Sequence, residues 1–440
     1  MVLVLLLAGC ENESFDTQAG SANDTMQPSM DSLSYPDLGQ LEDSKVGDTL
    51  AEMDATEDTE TPLVKYTTPD LAGERIEGVL HASGSVAVQP AVAVGSDGEA
   101  LIIFAGTSDE TTDLAIYAVR PGGTSTLVKS EPGGQRNEPA VCSLANGGFV
   151  AVWSYDGQSV GNPLGIEGAI LGEDGSVMSH FNVTTEVPGN HWLGHVGCNP
   201  EGGFTVVGSR TDTDDTTFGV FAQHYDASGS VLGAPFTVNP NPDGTQVQPV
   251  VALGKGGAGL VLYEDAPTDG NYMLTARSFG PEGVTSDAMK ILSLGGADAQ
   301  KPALAISAEG HVAYAGNLNT QLHLLSSPSI DSPDAFKGWL SPLESRFLPA
   351  ISFLDHETHL VMASLANVVG AGEPSVIVEI FEVGSDVPLS NLSLGSDPKL
   401  PPYPPAVAWG GGTLAVAWTQ RTDDGFEIHL ATFVGAPTTP

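Results

Sequence analysis

The feature that most constrains the fold of this chain is an internal repeat of about fifty residues. A short segment that begins with Pro-Ala-Val or a variant of it recurs seven times, at Pro90, Pro139, Gly194, Pro249, Pro302, Pro349 and Pro405. The spacings lie between 47 and 56 residues. Repeats of this period are typical of propellers and of arrays whose units bury their apolar faces only against their neighbours. The repeat therefore predicts one continuous array rather than two ordinary domains joined by a linker.

Each repeat has the rhythm of four short strands. In the second repeat, Pro139-Ala140-Val141 leads through Asn146-Gly147-Gly148, a tight-turn signal, into the apolar run 149–153. A polar turn and a third strand follow in every repeat, at 114–118, 165–170, 219–225, 272–277, 321–325, 376–381 and 427–433. Four short strands per repeat, without helical periodicity, predict an all-β fold whose repeats are the blades of a β-propeller.

Aromatic residues close the predicted second strand in five repeats, at Phe104, Trp153, Tyr263, Tyr314 and Trp418. Buried aromatic rings contribute large apolar areas to a core. We interpret this set as packing between neighbouring sheets rather than as a stacking site for a ligand.

The two ends of the repeat region complement each other. The last repeat stops after its third strand, and an orphan segment at 73–80 resembles the fourth strands of other repeats. Pairing of this segment with the last third strand would remove an unpaired sheet edge. We therefore predict a propeller over 73–434, with seven blades of four strands and an N-terminal strand that closes the ring. Six or eight blades remain open alternatives.

The extreme N-terminus resembles that of a bacterial lipoprotein. Residues 1–7 are apolar and end in Leu7-Ala8-Gly9-Cys10, the small-residue pattern of a lipobox, although no Lys or Arg precedes them. The resemblance implies a signal peptide at 1–9 and a lipid on the thiol of Cys10. The alternative is a buried strand that ends in a chance cysteine. No later stretch is apolar for the eighteen or so residues that a membrane-spanning helix needs.

Residues 11–62 contain fourteen Asp and Glu against the single Lys45. Such a segment buries too little apolar surface to offset its chain entropy, so we predict a disordered acidic tether over 10–72, and a short tail at 435–440. The whole chain carries a formal charge of −40. Nucleic acid is a poor partner for it, because phosphate recognition needs clustered Lys and Arg.

Two segments carry a further resemblance. Asn-Gly-Gly-Phe-Val-Ala-Val-Trp at 146–153 and Gly-Val-Phe-Ala-Gln-His-Tyr-Asp-Ala-Ser-Gly at 219–229 resemble repeats of bacterial surface proteins, in adhesin-like and calcium-repeat exoproteins and in lipoproteins. This resemblance implies a propeller used for display or recognition, and it carries no catalytic residue across. The resulting prediction is a monomeric, lipid-anchored, non-catalytic binding or scaffold module at the cell envelope (outer membrane or cell surface), whose partner is a protein or a polysaccharide.

A polysaccharide-acting hydrolase or lyase is the alternative. Sialidase-like propellers need an Arg triad with Tyr, Glu and Asp, and their Ser-x-Asp-x-Gly-x-Thr-Trp turn signature is absent here. Seven scattered arginines, from Arg75 to Arg421, leave a triad open. The pairs His191/His195 and His356/His359 lack the helical setting of a zinc peptidase. An Arg, Glu and Tyr cluster at the channel mouth would favour the enzyme, and an acidic mouth without one would favour binding.

Acidic residues recur in the predicted turns between second and third strands. Hard cations favour clustered carboxylates, so these turns are candidates for calcium. Solvated turn carboxylates are the simpler explanation, because Asp is a common turn former. No cofactor is required on this view. The residues are Asp109, Glu110, Asp113, Asp156, Asp212, Asp214, Asp215, Glu264, Asp265, Asp269, Asp423 and Asp424. Asp212, Asp214, Asp215, Asp423 and Asp424 form the candidate metal set.

Cys142 and Cys198 lie three and four residues after the repeated Pro139 and Gly194 in adjacent repeats. Innermost strands of neighbouring blades lie close together, and an exported protein permits disulfides. We predict a bridge between them, against the alternative that the one-residue offset points the two side chains apart.

Overall fold

The computed structural model describes residues 67–435 apart from short gaps, at 74, 81–85, 108–112, 132–133, 157–163, 184–189, 212–217, 242, 269, 294–297, 320, 330–336, 342–344, 355–357, 368–374, 397–402 and 424. Contacts divide the chain into the units Met1–Thr61 and Pro62–Pro440, and every described residue belongs to the second. Cys10 and the predicted tether up to residue 66 lie outside the described residues. No helix among the described residues is long and apolar enough to span a membrane.

The strands fall into seven groups. The first strand, β1 (Arg75–Leu80), stands alone in sequence. Blade 1 contains β2 (Ala87–Val94), β3 (Ala100–Gly106), β4 (Ala115–Val119) and β5 (Thr126–Lys129). Blade 2 contains β6 (Gln135–Ser143), β7 (Phe149–Asp156), β8 (Gly165–Leu171) and β9 (Val177–Asn182). Blade 3 contains β10 (His191–Cys198), β11 (Phe204–Thr211), β12 (Phe218–Tyr225) and β13 (Val231–Thr237).

Blade 4 contains β14 (Thr245–Leu253), β15 (Gly259–Ala266), β16 (Met273–Gly280), β17 (Gly283–Val284) and β18 (Met289–Leu292). Blade 5 contains β19 (Ala299–Ile306), β20 (Val312–Leu318), β21 (Gln321–Ser327) and β22 (Lys337–Leu340). Blade 6 contains β23 (Ser345–Phe353), β24 (His359–Asn367), β25 (Ser375–Glu382) and β26 (Pro388–Ser396). Blade 7 contains β27 (Ala406–Gly410), β28 (Thr413–Arg421) and β29 (Phe426–Val434), and a single turn of 3-10 helix lies at Lys255–Gly257.

The prediction of an all-β propeller with four-stranded blades is confirmed. β1 pairs antiparallel with β29, from Arg75 opposite Phe433 to Leu80 opposite Ile428, so the N-terminal strand is the fourth strand of blade 7. Each innermost strand contacts the innermost strand of the next blade, and β27 contacts β2. The seven blades therefore surround a central channel.

The core lies between neighbouring blades. Second strands are buried on both faces, as in β3, whose seven residues are all buried, whereas the outermost β13 is mostly exposed. The aromatic set of the second strands packs in these interfaces; for example, Trp153 is fully buried among residues of blades 1 and 2. This confirms a packing role for those rings and explains why the second strands form almost unbroken apolar runs.

A β-bulge interrupts the innermost strand at each repeated Pro or Gly in blades 1 to 6. The residue just before it adopts a left-handed backbone, with φ between 53° and 59°, at Gln89, Glu138, Leu193, Gln248, Lys301 and Leu348. Such a conformation costs a non-glycine residue of the order of 1–3 kcal/mol and persists only where its surroundings fix it. Bulges re-aim side chains and are frequent beside functional sites.

Side chains from the preceding blade hold these bulges in place. Ser154 Oγ accepts the N–H of Leu193 (2.9 Å), and Glu264 Oε1 accepts the N–H of Lys301 (2.8 Å). Thr419, Ser209 and Asn317 accept the N–H groups of Gln89, Gln248 and Leu348 in the same way. Two blades have an apolar residue at the position equivalent to Ser154 and Glu264. In blade 1 this residue is Ala105, and the side chain of Gln89 accepts the N–H of Glu138 instead. In blade 6 it is Leu365, and the corresponding residue of blade 7 is Pro404, which has no N–H to pair.

Candidate active site

The candidate site is built on a ring of seven residues that we call the mouth ring: Gln89, Glu138, Leu193, Gln248, Lys301, Leu348 and Pro404. Each lies at the start of an innermost strand, next to a Pro or Gly of the repeat. Five of the repeated prolines line a cavity of about 410 Å³ that runs down the channel. The ring therefore marks one end of the channel, at the face that carries the turns between second and third strands.

Four members of the mouth ring are polar, and they form two pairs. Gln89 and Glu138 are neighbours, since Gln89 Oε1 accepts the N–H of Glu138 (3.0 Å). The Glu138 carboxylate accepts a hydrogen bond from Ser154 Oγ at its Oε2 (3.0 Å). Its Oε1 has no partner among the described residues. This leaves one carboxyl oxygen of Glu138 available to a ligand.

The second pair lies across the channel and includes a buried carboxyl group from a neighbouring strand. Lys301 Nζ donates to Gln248 Oε1 (3.4 Å). Turning the Gln248 amide over satisfies both of its ends, since its nitrogen then donates to Glu264 Oε1 (3.0 Å) and its oxygen accepts from Lys301 Nζ (3.2 Å). Glu264 on β15 is only 2% exposed, and its Oε2 has no partner within the described part of the chain. Gln248 thus links a carboxyl group to the ammonium group of Lys301.

Lys301 connects the two halves of the ring. Its charge lowers the pKa of Glu138, although the two residues belong to blades 5 and 2. Blades that far apart approach each other only across the channel. The ammonium group therefore lies near enough to both carboxyl groups for its charge to act on Glu138 and Glu264.

Burial raises the pKa of both carboxyl groups. The loss of solvent raises the pKa of Glu264 to about 7, and the nearby Asp298 adds to this, while Lys301 opposes it through its backbone N–H and its charge. Burial likewise raises the pKa of Glu138, against the opposing effects of the Ser154 hydroxyl and Lys301. Glu264 is therefore partly protonated at neutral pH, which is the state that proton donation requires.

Tyr272 stands near Glu264, close enough for the carboxylate charge to raise the pKa of the phenol, after burial as the main cause. The mouth ring contains a Glu and a Lys, with Glu264 and Tyr272 nearby, but none of the seven arginines lines the channel. The cluster of Arg, Glu and Tyr that would have favoured an enzyme is therefore not formed.

The channel below the ring is apolar. The described residues that line it are mostly Pro, Ala, Val and other apolar residues, with two serines, and His195 is the one ionisable residue among them. The ring nitrogen Nδ1 of His195 accepts the N–H of Val251 (3.3 Å), and burial lowers the pKa of the imidazole to about 4. His195 is therefore neutral at physiological pH and serves to pair a strand-edge N–H, not to bind a metal.

The arginines do not form a triad. All seven are described, and none lines the channel. Arg136 binds Glu131 and Glu167, Arg346 binds Glu379, Arg75 binds Glu77, Arg120 lies beside Asp97, and Arg210 and Arg277 donate to Thr237 and to backbone oxygens. Arg421 is exposed at the end of β28. The arginine cluster of a sialidase-like site is thus absent.

Most of the candidate metal set lies outside the described residues, namely Asp212, Asp214, Asp215 and Asp424. Asp423 is described and is exposed in the turn between β28 and β29. The described stretches contain no group of three or more His, Cys, Asp or Glu side chains suited to a metal ion. Glu264 differs from its sequence-based interpretation, because it lies inside β15 rather than in a solvated turn.

The two repeat cysteines meet at the other end of the channel. Cys142 on β6 and Cys198 on β10 form a disulfide, with their Cα atoms 5.7 Å apart. Both line a second cavity, of about 640 Å³. The bridge joins the innermost strands of blades 2 and 3, far along the channel from the mouth ring.

Comparison with known proteins gives structural likeness only. No family model and no curated protein matches the chain. A protein of unknown function from Dyadobacter fermentans is similar over 82% of this chain and 98% of its own, with 12% identity and a TM-score of 0.50. An α-L-arabinanase of Penicillium chrysogenum, complexed with arabinobiose, is similar over 71% and 99%, with 15% identity and a TM-score of 0.50.

A glycoside hydrolase is thus among the solved structures that share this fold. That finding overturns the prediction of a non-catalytic binding or scaffold module and favours its alternative, a polysaccharide-acting hydrolase on a propeller fold. At this level of identity the likeness shows the fold alone, so the case for an activity depends on the residues of the mouth ring. What the described residues establish is a β-propeller with one buried and one half-buried carboxyl group, Glu264 and Glu138, and a lysine at one end of its channel.

Proposed function

We propose that this protein is a hydrolase that cleaves glycosidic bonds of a polysaccharide at the mouth ring. The observation that carries the proposal is a pair of carboxyl groups at the mouth ring, the buried Glu264 and the half-buried Glu138. Each has one oxygen without a partner among the described residues, and the charge of Lys301 acts on both. Glycoside hydrolysis characteristically uses two carboxyl groups whose surroundings give them different protonation states.

The two carboxyl groups take different roles in this proposal. Glu264, with a pKa of about 7, donates its proton to the glycosidic oxygen as the bond to the anomeric carbon breaks. Glu138 in its ionised form accepts a proton from the attacking water through the oxygen that has no partner among the described residues. The water oxygen forms the new bond to the anomeric carbon. The Ser154 hydroxyl and the Lys301 charge stabilise this carboxylate against the burial that raises the pKa of Glu138.

The test is to incubate the protein with a panel of polysaccharides and to measure the reducing ends that hydrolysis releases. Glu264→Gln and Glu138→Gln should each lower the rate by about 100-fold or more, the usual contribution of a general acid or base. Glu382→Gln is the matched control, because Glu382 is exposed at the end of β25, away from the mouth. Failure to cleave any polymer, or full activity in both mouth variants, would contradict the proposal.

We further propose that a lipid on Cys10 holds the enzyme at the bacterial cell envelope, where polysaccharides are available. The lipobox at Leu7-Ala8-Gly9-Cys10 and the acidic segment 11–62, as an extended tether, support this location. The similarity of the repeats to those of adhesin-like surface proteins also supports it. Labelling of cells with radioactive palmitate tests the anchor, since label should enter the wild-type protein and not the Cys10→Ala variant.

A further inference from the structure

We propose that the mouth ring selects an uncharged sugar unit and rejects sugars that carry a carboxylate. This inference rests on the proposed function and names its substrate class. It is drawn from the charges and hydrogen-bonding groups that surround the two carboxyl groups, not from the solved structures that share the fold.

Among the described residues, a carboxylate-bearing sugar finds no free cation at the mouth. Bidentate recognition of a carboxylate is the characteristic use of arginine, and no arginine lines the channel. Arg136 and Arg346 lie on innermost strands, two residues before the ring members Glu138 and Leu348, and both are already paired. Arg136 binds Glu131 and Glu167, and Arg346 binds Glu379. Recruiting Arg346 would leave the buried Glu379 without a counter-charge, and recruiting Arg136 would do the same to the mostly buried Glu167.

Lys301 is the one cation of the mouth ring, and it already interacts with other side chains of the mouth. Its Nζ donates to the amide oxygen of Gln248, and its charge acts on both Glu138 and Glu264. Asp298 adds a further negative charge near Glu264. A third carboxylate at this point would therefore add repulsion that one ammonium group does not balance.

The remaining groups of the ring suit hydroxyl groups. Gln89 uses its oxygen on the N–H of Glu138, and its amide nitrogen has no partner within the described stretches. An amide N–H donates to a sugar hydroxyl without a charge to neutralise. Apolar ring positions separate the two polar pairs, Leu193 on one side and Leu348 with Pro404 on the other. Sugar rings likewise present hydroxyl edges and C–H faces.

The experiment compares polymers that differ only in charge. Methyl-esterified and de-esterified polygalacturonan form one pair, and hydroxyethyl and carboxymethyl cellulose form another. Binding is measured by affinity electrophoresis of the intact protein, and cleavage by reducing ends. We expect at least tenfold tighter binding to the neutral member of a pair. Because the whole chain is acidic, each measurement is repeated at 0.5 M NaCl, roughly, where repulsion between distant charges is screened and the preference of the mouth should persist.

A gain-of-charge variant sharpens the test. Leu193→Arg places a guanidinium group on the ring and should raise binding of the acidic polymers, whereas Val387→Arg makes the same charge change at an exposed outer position and should not. Equal or tighter binding of the acidic polymers by the wild-type protein, or binding of neither kind, overturns the inference. Cleavage of acidic polymers would overturn it while leaving the hydrolase proposal intact, whereas neutral binding without any cleavage would support it and count against hydrolysis.

Discussion

Replacing Glu264 by Gln should make the protein more stable at alkaline pH than the wild type. Glu264 is almost fully buried, and its pKa of about 7 in the folded state compares with 4.5 for an ordinary glutamate. The folded state therefore binds this proton more tightly than the unfolded state does. The stability that the neutral carboxyl group provides is complete below pH 4.5 and is lost as the pH rises through 7.

The size of the effect follows from the same two pKa values. The interval between them corresponds to about 3 kcal/mol, since each pH unit is worth about 1.4 kcal/mol. A glutamine carries no charge to bury, and its oxygen can still accept the N–H of Lys301. Between pH 5 and pH 8.5 the variant should therefore gain about 2–3 kcal/mol relative to the wild type.

Urea unfolding at the two pH values measures this difference, at one ionic strength. The lower value is pH 5 rather than a more acidic one, because the sequence pI is about 4.1 and a chain without net charge tends to associate. The exposed Glu382→Gln substitution is the control and should show no such gain. If Glu264→Gln changes the free energy of unfolding by the same amount at both pH values, Glu264 is ionised normally in the folded protein and its role as an acid fails.

Three further outcomes test the framework. Ser154→Ala should lower the free energy of unfolding by urea by about 1–3 kcal/mol, because it leaves a buried bulge N–H unpaired. Ser364 is also buried but its hydroxyl has no hydrogen-bond partner among the described residues, so Ser364→Ala should lower it little. Similar losses in the two variants would contradict the role of Ser154. Deletion of 73–82 should cause aggregation or a large fall in melting temperature, and deletion of 11–62 should not; equal effects would contradict the pairing of β1. Cys142→Ser should lower the free energy of unfolding by about 4 kcal/mol for a loop of this length, and two titratable repeat thiols in unreduced, denatured wild-type protein would rule out the bridge.

The fold could be predicted from the sequence because the pattern of one blade recurs seven times along the chain. The Gly-Gly turns, the third strands and the orphan segment at 73–80 each specified a local element, and their consistent spacing left few arrangements open. The pairing of β1 with β29 could be predicted because a strand was missing at one end and spare at the other.

The candidate site was harder to predict. The residue before each repeated Pro or Gly is visible in the sequence, but nothing in an X-Pro dipeptide shows that X adopts a left-handed backbone at a bulge. Glu264 was noticed among acidic turn residues, yet its burial in β15 and its elevated pKa depend on a register that only the structure supplies. The link between Lys301 and Glu138 crosses the channel and has no trace in the local sequence.

The bulges also separate what holds the propeller together from what its mouth recognises. Each bulge N–H of blades 1 to 6 is fixed from the preceding blade, so Glu, Leu, Gln and Lys occupy the same position without change of backbone. Among the ring side chains, that of Gln89 also accepts the backbone N–H of its neighbour, and that of Gln248 binds the ammonium group of its neighbour Lys301. The side chains of the mouth ring can therefore be replaced one blade at a time with little change in the free energy of unfolding. A library randomised at the positions now held by Leu193 and Leu348 should consist largely of folded proteins, and propellers of this design can change specificity by single substitutions while the rest of the chain stays as it is.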